Sequence, residues 1–225
     1  MKFIVIAVSL LSVVLIAPFL IPVRDLEGTV NPILLAEEDS MFVNIKNINI
    51  HYKSAGEGST LVLLLHGFGA STFSWREVIG PLAEEYFVVA FDRPGFGFTS
   101  RPLGEDLEIF NPYSMEGQVE LTVSLIEYLG YEEAILIGNS AGGLTALEVA
   151  ASYPQKVKGL VLVDAAVYTN DADNPFFNLL TNTPQGRHLG PLVSRIFLGN
   201  SRNLLDLAWY DTGKLTPDIL EGYEK

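Results

Sequence analysis

Ala134-Ile135-Leu136-Ile137-Gly138-Asn139-Ser140-Ala141-Gly142-Gly143 is the stretch on which the fold turns. Ala134 to Ile137 is a short apolar run of strand type, and Gly143 to Tyr153 reads as a helix. Between them lies a G-x-S-x-G pentapeptide, Gly138 to Gly142. Only small residues beside the serine let a chain turn that sharply from strand to helix. The turn holds Ser140 up and exposed. The helix behind it aims its N-terminus at the same point, which favours negative charge developing there. Gly and Ser are common, so the pentapeptide alone says little. The strand before and the helix after make it specific. The expectation is a serine presented as a nucleophile for acyl transfer.

Upstream, Met41 to Lys53 alternates apolar and polar residues around Lys46-Asn47, which predicts a hairpin of antiparallel strands. Thr60 to Leu65 and Tyr86 to Phe91 are continuous apolar runs, as expected of strands buried on both faces. They end at His66-Gly67-Phe68-Gly69 and at Asp92-Arg93-Pro94-Gly95-Phe96-Gly97. A helix is expected from Ser74 to Glu85 with Ser74 as N-cap, and another from Ser114 to Leu129, capped by Ser114 and stopped by Gly130. Pro102 to Pro112 reads as an acidic loop. Downstream, Val157 to Val163 is a further apolar strand ending at Asp164. After an initial hairpin, strand and helix alternate. That order specifies an α/β fold: a mainly parallel sheet with helices on both faces.

The N-terminus is a separate object. Phe3 to Val23 carries no charge, and Lys2 precedes it. The length suits a bilayer span, although Pro18 and Pro22 sit in its last third. We read residues 1–23 as a signal anchor, with a cleaved signal peptide as the alternative. Either reading makes the protein membrane-anchored or exported, with Lys2 favouring a cytoplasmic N-terminus for an anchor. Residues 24–40, with the run Glu37-Glu38-Asp39, read as a linker.

Composition narrows the function classes. The chain has 225 residues, 48% hydrophobic and 18% charged, which suits one domain with a large core. The formal net charge is −13 with no basic cluster, so nucleic acid is excluded as a partner. There is no cysteine, which rules out disulfides, cysteine nucleophiles and thiolate metal sites. His51, His66 and His188 lie far apart, and none has metal-ligand spacing. No metal or cofactor is expected.

From about Phe42 onward the chain resembles the α/β-hydrolase superfamily. The His66-Gly67-Phe68-Gly69 loop, the Asp92-to-Gly97 loop, the serine turn and the strand ending at Asp164 carry the resemblance, in that order. The branch it most resembles holds serine esterases, C–C hydrolases and perhydrolase-like enzymes with a helical cap. The resemblance implies a hydrolase core over residues 41–164 and a cap over 165–225. It implies Ser140 as nucleophile and a small-molecule substrate with an ester-like carbonyl. The backbone N–H groups of Ala141 and Phe68 would form the oxyanion hole, supported by His66, Gly67, Gly138 and Gly142.

Other readings stand beside these. In such proteins His66 orients the oxyanion loop; as a general base it would precede the serine, against the usual order of serine, acid, histidine. Gly95-x-Gly97 lacks the acidic partner of a dinucleotide loop. Asp92 and Arg93 suit tying down a loop. Trp75, Phe176, Phe177, Trp209 and Tyr210 suit either a substrate wall or packed cores. The acid and histidine are not evident. Asp164 and His188, the latter in an expected cap loop between Gly186 and Gly190, are weak candidates. Ala165 to Lys225 reads as cap alone, with turns around Asn170 to Pro175 and a helix start at Thr216-Pro217-Asp218. The expectation is a chain truncated within the cap and inactive as it stands. Alternatives are a non-catalytic binding protein on the same fold, and a C–C hydrolase or perhydrolase using the same serine.

Overall fold

A computed structural model describes residues 12–23, 30–103, 106–167, 183–198 and 201–224. The chain forms two compact units: residues 30–167 with 221–225, and residues 1–29 with 168–220.

The first unit is built on a six-stranded sheet ordered β1-β2-β4-β3-β5-β6. Strand β1 (Met41–Ile45) and β2 (Ile48–Ala55) form the expected hairpin, and β2 pairs antiparallel with β4 (Phe87–Phe91). Strands β3 (Leu61–Leu65), β4, β5 (Ala134–Asn139) and β6 (Val157–Val163) are mutually parallel. The central strand β3 is wholly buried. Successive side chains on a strand point to opposite faces. Leu61, Leu63, Leu65, Val89, Phe91 and Leu136 therefore pack on one face, and Val62, Leu64, Val88 and Ala90 on the other. Helices α4 (Met115–Tyr128) and α5 (Ala141–Ser152) supply buried residues to the first cluster. Helix α2 (Arg76–Ala83) covers the second with Val78, Ile79 and Leu82.

Two local expectations are corrected. The helix expected from Ser74 begins instead as a 3-10 turn, Thr72–Trp75, and becomes α-helical at Arg76. Its cap is Ser71, whose side chain accepts from the Phe73 amide, while the Ser74 hydroxyl is buried without a partner. The loop after Pro102 contains one helical turn, α3 (Asp106–Ile109). Strand β6 is the edge of the sheet, with Val161, Leu162 and Val163 exposed. By contrast, Ser114 caps α4 as expected, its oxygen accepting from the Gly117 amide at 3.0 Å.

In the second unit, residues 12–20 are helical and form α1. Helices α6 (Pro184–Leu198) and α7 (Ser201–Ala208) follow, and α8 (Pro217–Glu224) continues into the first unit. Gln185 donates to the Leu15 carbonyl at 3.2 Å, tying α6 to α1. Among the described residues no helix is long and apolar enough to cross a membrane; residues 1–11, which include the first part of the uncharged run, lie outside the described residues. The sequence expectations at Asn170 to Pro175, Phe176 and Phe177 also lie outside them.

Candidate active site

The parallel register aligns the C-terminal ends of the central strands: Leu65 lies beside both Phe91 and Gly138, and Asn139 beside Val163. The loops after β3, β4, β5 and β6 therefore leave the sheet along one edge. This is where open α/β sheets bind ligands.

Ser140 occupies the turn between β5 and α5 with φ 50° and ψ −118°. A non-glycine residue with positive φ is uncommon and costs of the order of 1–3 kcal/mol. Backbone bonds to the end of β6 hold it there. The Ser140 amide donates to the Val163 carbonyl, and the Ala166 amide donates to the Ser140 carbonyl, each at 3.0 Å. The motif glycines are required by close approach. A Cβ on Gly142 would collide with the Leu65 carbonyl oxygen and stand 2.5 Å from that of His66. One on Gly67 would lie 3.3 Å from the Ser140 Cβ, so the loop after β3 passes directly beside the serine.

His66 organises that loop. Its Nε2 accepts from the Arg93 amide at 2.9 Å, so Nδ1 carries the proton and donates to the Gly67 carbonyl at 2.7 Å. In a trans peptide the C=O and the following N–H point in opposite directions. Turning the Gly67 carbonyl toward the imidazole therefore turns the Phe68 amide away from it. Among the described residues neither the Phe68 nor the Ala141 amide donates to a protein acceptor. Both candidate oxyanion donors are left free. The Phe68 ring is exposed and meets Phe96 edge to face at 5.4 Å.

The histidines are all engaged elsewhere. Burial holds the His66 imidazole down at about 4, against the smaller upward pull of the Gly67 carbonyl and Asp92. With both nitrogens occupied, it has none to accept a proton from Ser140. His51 Nδ1 lies 2.7 Å from Asp92, and its Nε2 lies 2.9 Å from the Ser40 hydroxyl. His188 sits within helix α6 rather than in a loop, with Nε2 on the Ile21 carbonyl at 3.1 Å and its ring 5.3 Å from Phe19. Asp164 is exposed at the end of β6 with φ 44°, between the two residues that hold the Ser140 backbone.

Asp92 is a buried tie. Its carboxylate accepts from His51, from the Thr72 amide at 2.6 Å and from the Phe98 amide at 2.8 Å. Burial alone would raise its pKa, but His51 and the two amides outweigh that and hold it below the ordinary value. The sequence suggested a tie at Asp92, but His51 as its partner, held in turn by Ser40, carried no signal. Trp75 is a core aromatic packed with Val62, Leu64 and Val88, with its indole N–H unpartnered. Trp209 and Tyr210 line an open hollow with Asp211 and Lys214. Beside the oxyanion loop, Gly69, Ser71, Phe96, Arg101 and Tyr223 line a small recess. Among the described residues no cluster of three or more His, Asp or Glu side chains is arranged for a metal.

A mainly parallel sheet carrying a serine at positive φ between strand and helix is the architecture of an α/β hydrolase. Residues 60–200 match the family model for the alpha/beta hydrolase fold, and the chain belongs to that family. It is 35% identical over 126 residues to epoxide hydrolase 4 of Homo sapiens, covering 55% of this chain and 33% of that protein. It is 36% identical over 129 residues to the 2-hydroxy-6-oxo-6-(2'-aminophenyl)hexa-2,4-dienoic acid hydrolase of Metapseudomonas resinovorans, covering 56% of this chain and 42% of that one. Among solved structures, an epoxide hydrolase from Vigna radiata matches with TM-score 0.51 and 30% identity over 56% of this chain and 39% of its own. The chain thus spans about a third to two fifths of the length of these relatives.

Proposed function

We propose that this chain carries the nucleophile half of a serine hydrolase acting on an ester-like carbonyl. Ser140 attacks the carbonyl carbon, the Phe68 and Ala141 amides hold the oxyanion, and water releases the acyl-enzyme. The observation that carries the reading is the Ser140 backbone at φ 50°, a conformation that a serine adopts only when its surroundings impose it.

Chemistry separates this from the epoxide hydrolases among the relatives. A hydroxyl that opens an epoxide is left as an ether, which water does not cleave. A hydroxyl that attacks a carbonyl is left as an ester, which it does. A serine at this turn therefore favours a carbonyl substrate. The likeness to the dienoic acid hydrolase favours a second reading, cleavage of a carbon–carbon bond beside a ketone by the same serine.

The proposal needs a base, and no described histidine has a nitrogen free for that role. Oxyanion donors and binding alone still leave measurable catalysis when triad members are missing. The 225-residue chain should thus react slowly with a fluorophosphonate at Ser140, and added imidazole should accelerate it. Mass spectrometry of the labelled peptide, with Ser140→Ala as control, reads the result. No adduct at Ser140 with imidazole present would end this reading. The uncharged run from Phe3 to Val23 supports a membrane-anchored or exported location; carbonate extraction of membranes from the source cell tests it.

A further inference from the structure

Arg93 is buried, 5% exposed, and grips His66 twice. Its backbone N–H donates to His66 Nε2 and its Nη1 to the His66 carbonyl, each at 2.9 Å. Its Nε donates to Gln118 Oε1 at 3.0 Å, Nη2 donates to the same oxygen, and Nη2 reaches Thr145 Oγ1 at 3.5 Å. Thr145 in turn donates to the Ala141 carbonyl at 3.2 Å. One guanidinium thus joins the oxyanion loop, helix α4 and the first turn of α5.

All of these acceptors are neutral. Asp92, next in sequence, turns its carboxylate toward Thr72, Phe98 and His51. Among the described residues no carboxylate lies within ion-pair distance of Arg93. Burying a cation in that state is costly. A glutamate in place of Gln118 would reduce the cost with almost no change of shape, yet the chain has the amide. An unpaired cation behind the His66-Gly67 peptide stabilises an anion forming in front of it, and a paired one does not.

Resting on the serine-hydrolase reading, the geometry points to Arg93 as a positioning residue for the oxyanion site, kept without a carboxylate partner so that its charge acts there. The discriminating variant is Gln118→Glu, which supplies the missing carboxylate. The readouts are the second-order rate of Ser140 labelling by a fluorophosphonate in imidazole, and the thermal midpoint. Gln118→Glu should label roughly tenfold more slowly at an unlowered midpoint, the size expected of cancelling a nearby unit charge at partial screening. Gln118→Met, which removes contacts but adds no charge, should lower the midpoint and leave the rate near wild type.

Labelling of folded Gln118→Glu at the wild-type rate would overturn the inference. If that variant does not fold, Arg93→Met decides. It removes the charge and the Nη1 contact while the backbone N–H still meets His66 Nε2, and a wild-type labelling rate there also overturns the inference. An unlabelled wild type would instead remove the serine-hydrolase reading, and this inference with it.

Discussion

His66 is committed at both ring nitrogens, and that fixes its behaviour with pH. Its folded pKa of about 4 lies below the ordinary histidine value of about 6.5. As pH falls through that window the unfolded chain takes up a proton that the folded chain refuses. Its contribution to stability is therefore complete above pH 6.5 and is lost on the way down to 4. Between pH 6.5 and 5 the loss should be roughly 2 kcal/mol from this residue alone. Urea midpoints measured across that range should fall in the wild type and stay flatter in His66→Asn. Equal slopes would show that the imidazole is not held neutral. The position of His66 in a His-Gly loop was legible in the sequence. Its tautomer was not, because that depends on Arg93, 27 residues away.

At the scale of elements, legibility followed burial pattern and capping. Leu61 to Leu65 and Phe87 to Phe91 read as strands because both faces are covered, leaving no polar alternation. The start of α2 was misplaced because a 3-10 turn and an α-helix put apolar residues at nearly the same spacing; only the bond from the Phe73 amide to Ser71 separates them. The hairpin was legible from Lys46-Asn47, and the structure adds the reason. Both residues have positive φ, 51° and 64°, as a two-residue type I′ turn demands. Asn47→Gly should raise stability by a few tenths of a kcal/mol, while Asn47→Val should lower it by about 1–2 kcal/mol. Thermal midpoints of the pair check this, and a valine variant as stable as wild type would contradict the turn assignment.

At the scale of the whole molecule, the sheet's two edges differ. Strand β1 alternates, with Asn44 exposed and Val43 and Ile45 buried. Strand β6 exposes Val161, Leu162 and Val163 to 45%, 40% and 41%, and its lysine, Lys158, is already paired with Glu133. An apolar edge with open backbone groups is a template for another strand. The sequence showed β6 as an apolar strand. Its exposure depends on what lies beside it in the sheet, and here the described residues place nothing there. Expressed as residues 1–225, the chain should self-associate through this edge. Its net charge of −13 opposes the association, so raising salt should strengthen it by screening the repulsion. Light scattering behind size exclusion reads this best in mild detergent, which masks the apolar run at the N-terminus. Leu162→Lys, which adds a charge to the edge, should shift the population toward monomer at every salt concentration. A wild-type chain that stays monomeric in high salt would show that β6 is protected, and a Leu162→Lys variant that associates equally well would place the contact elsewhere.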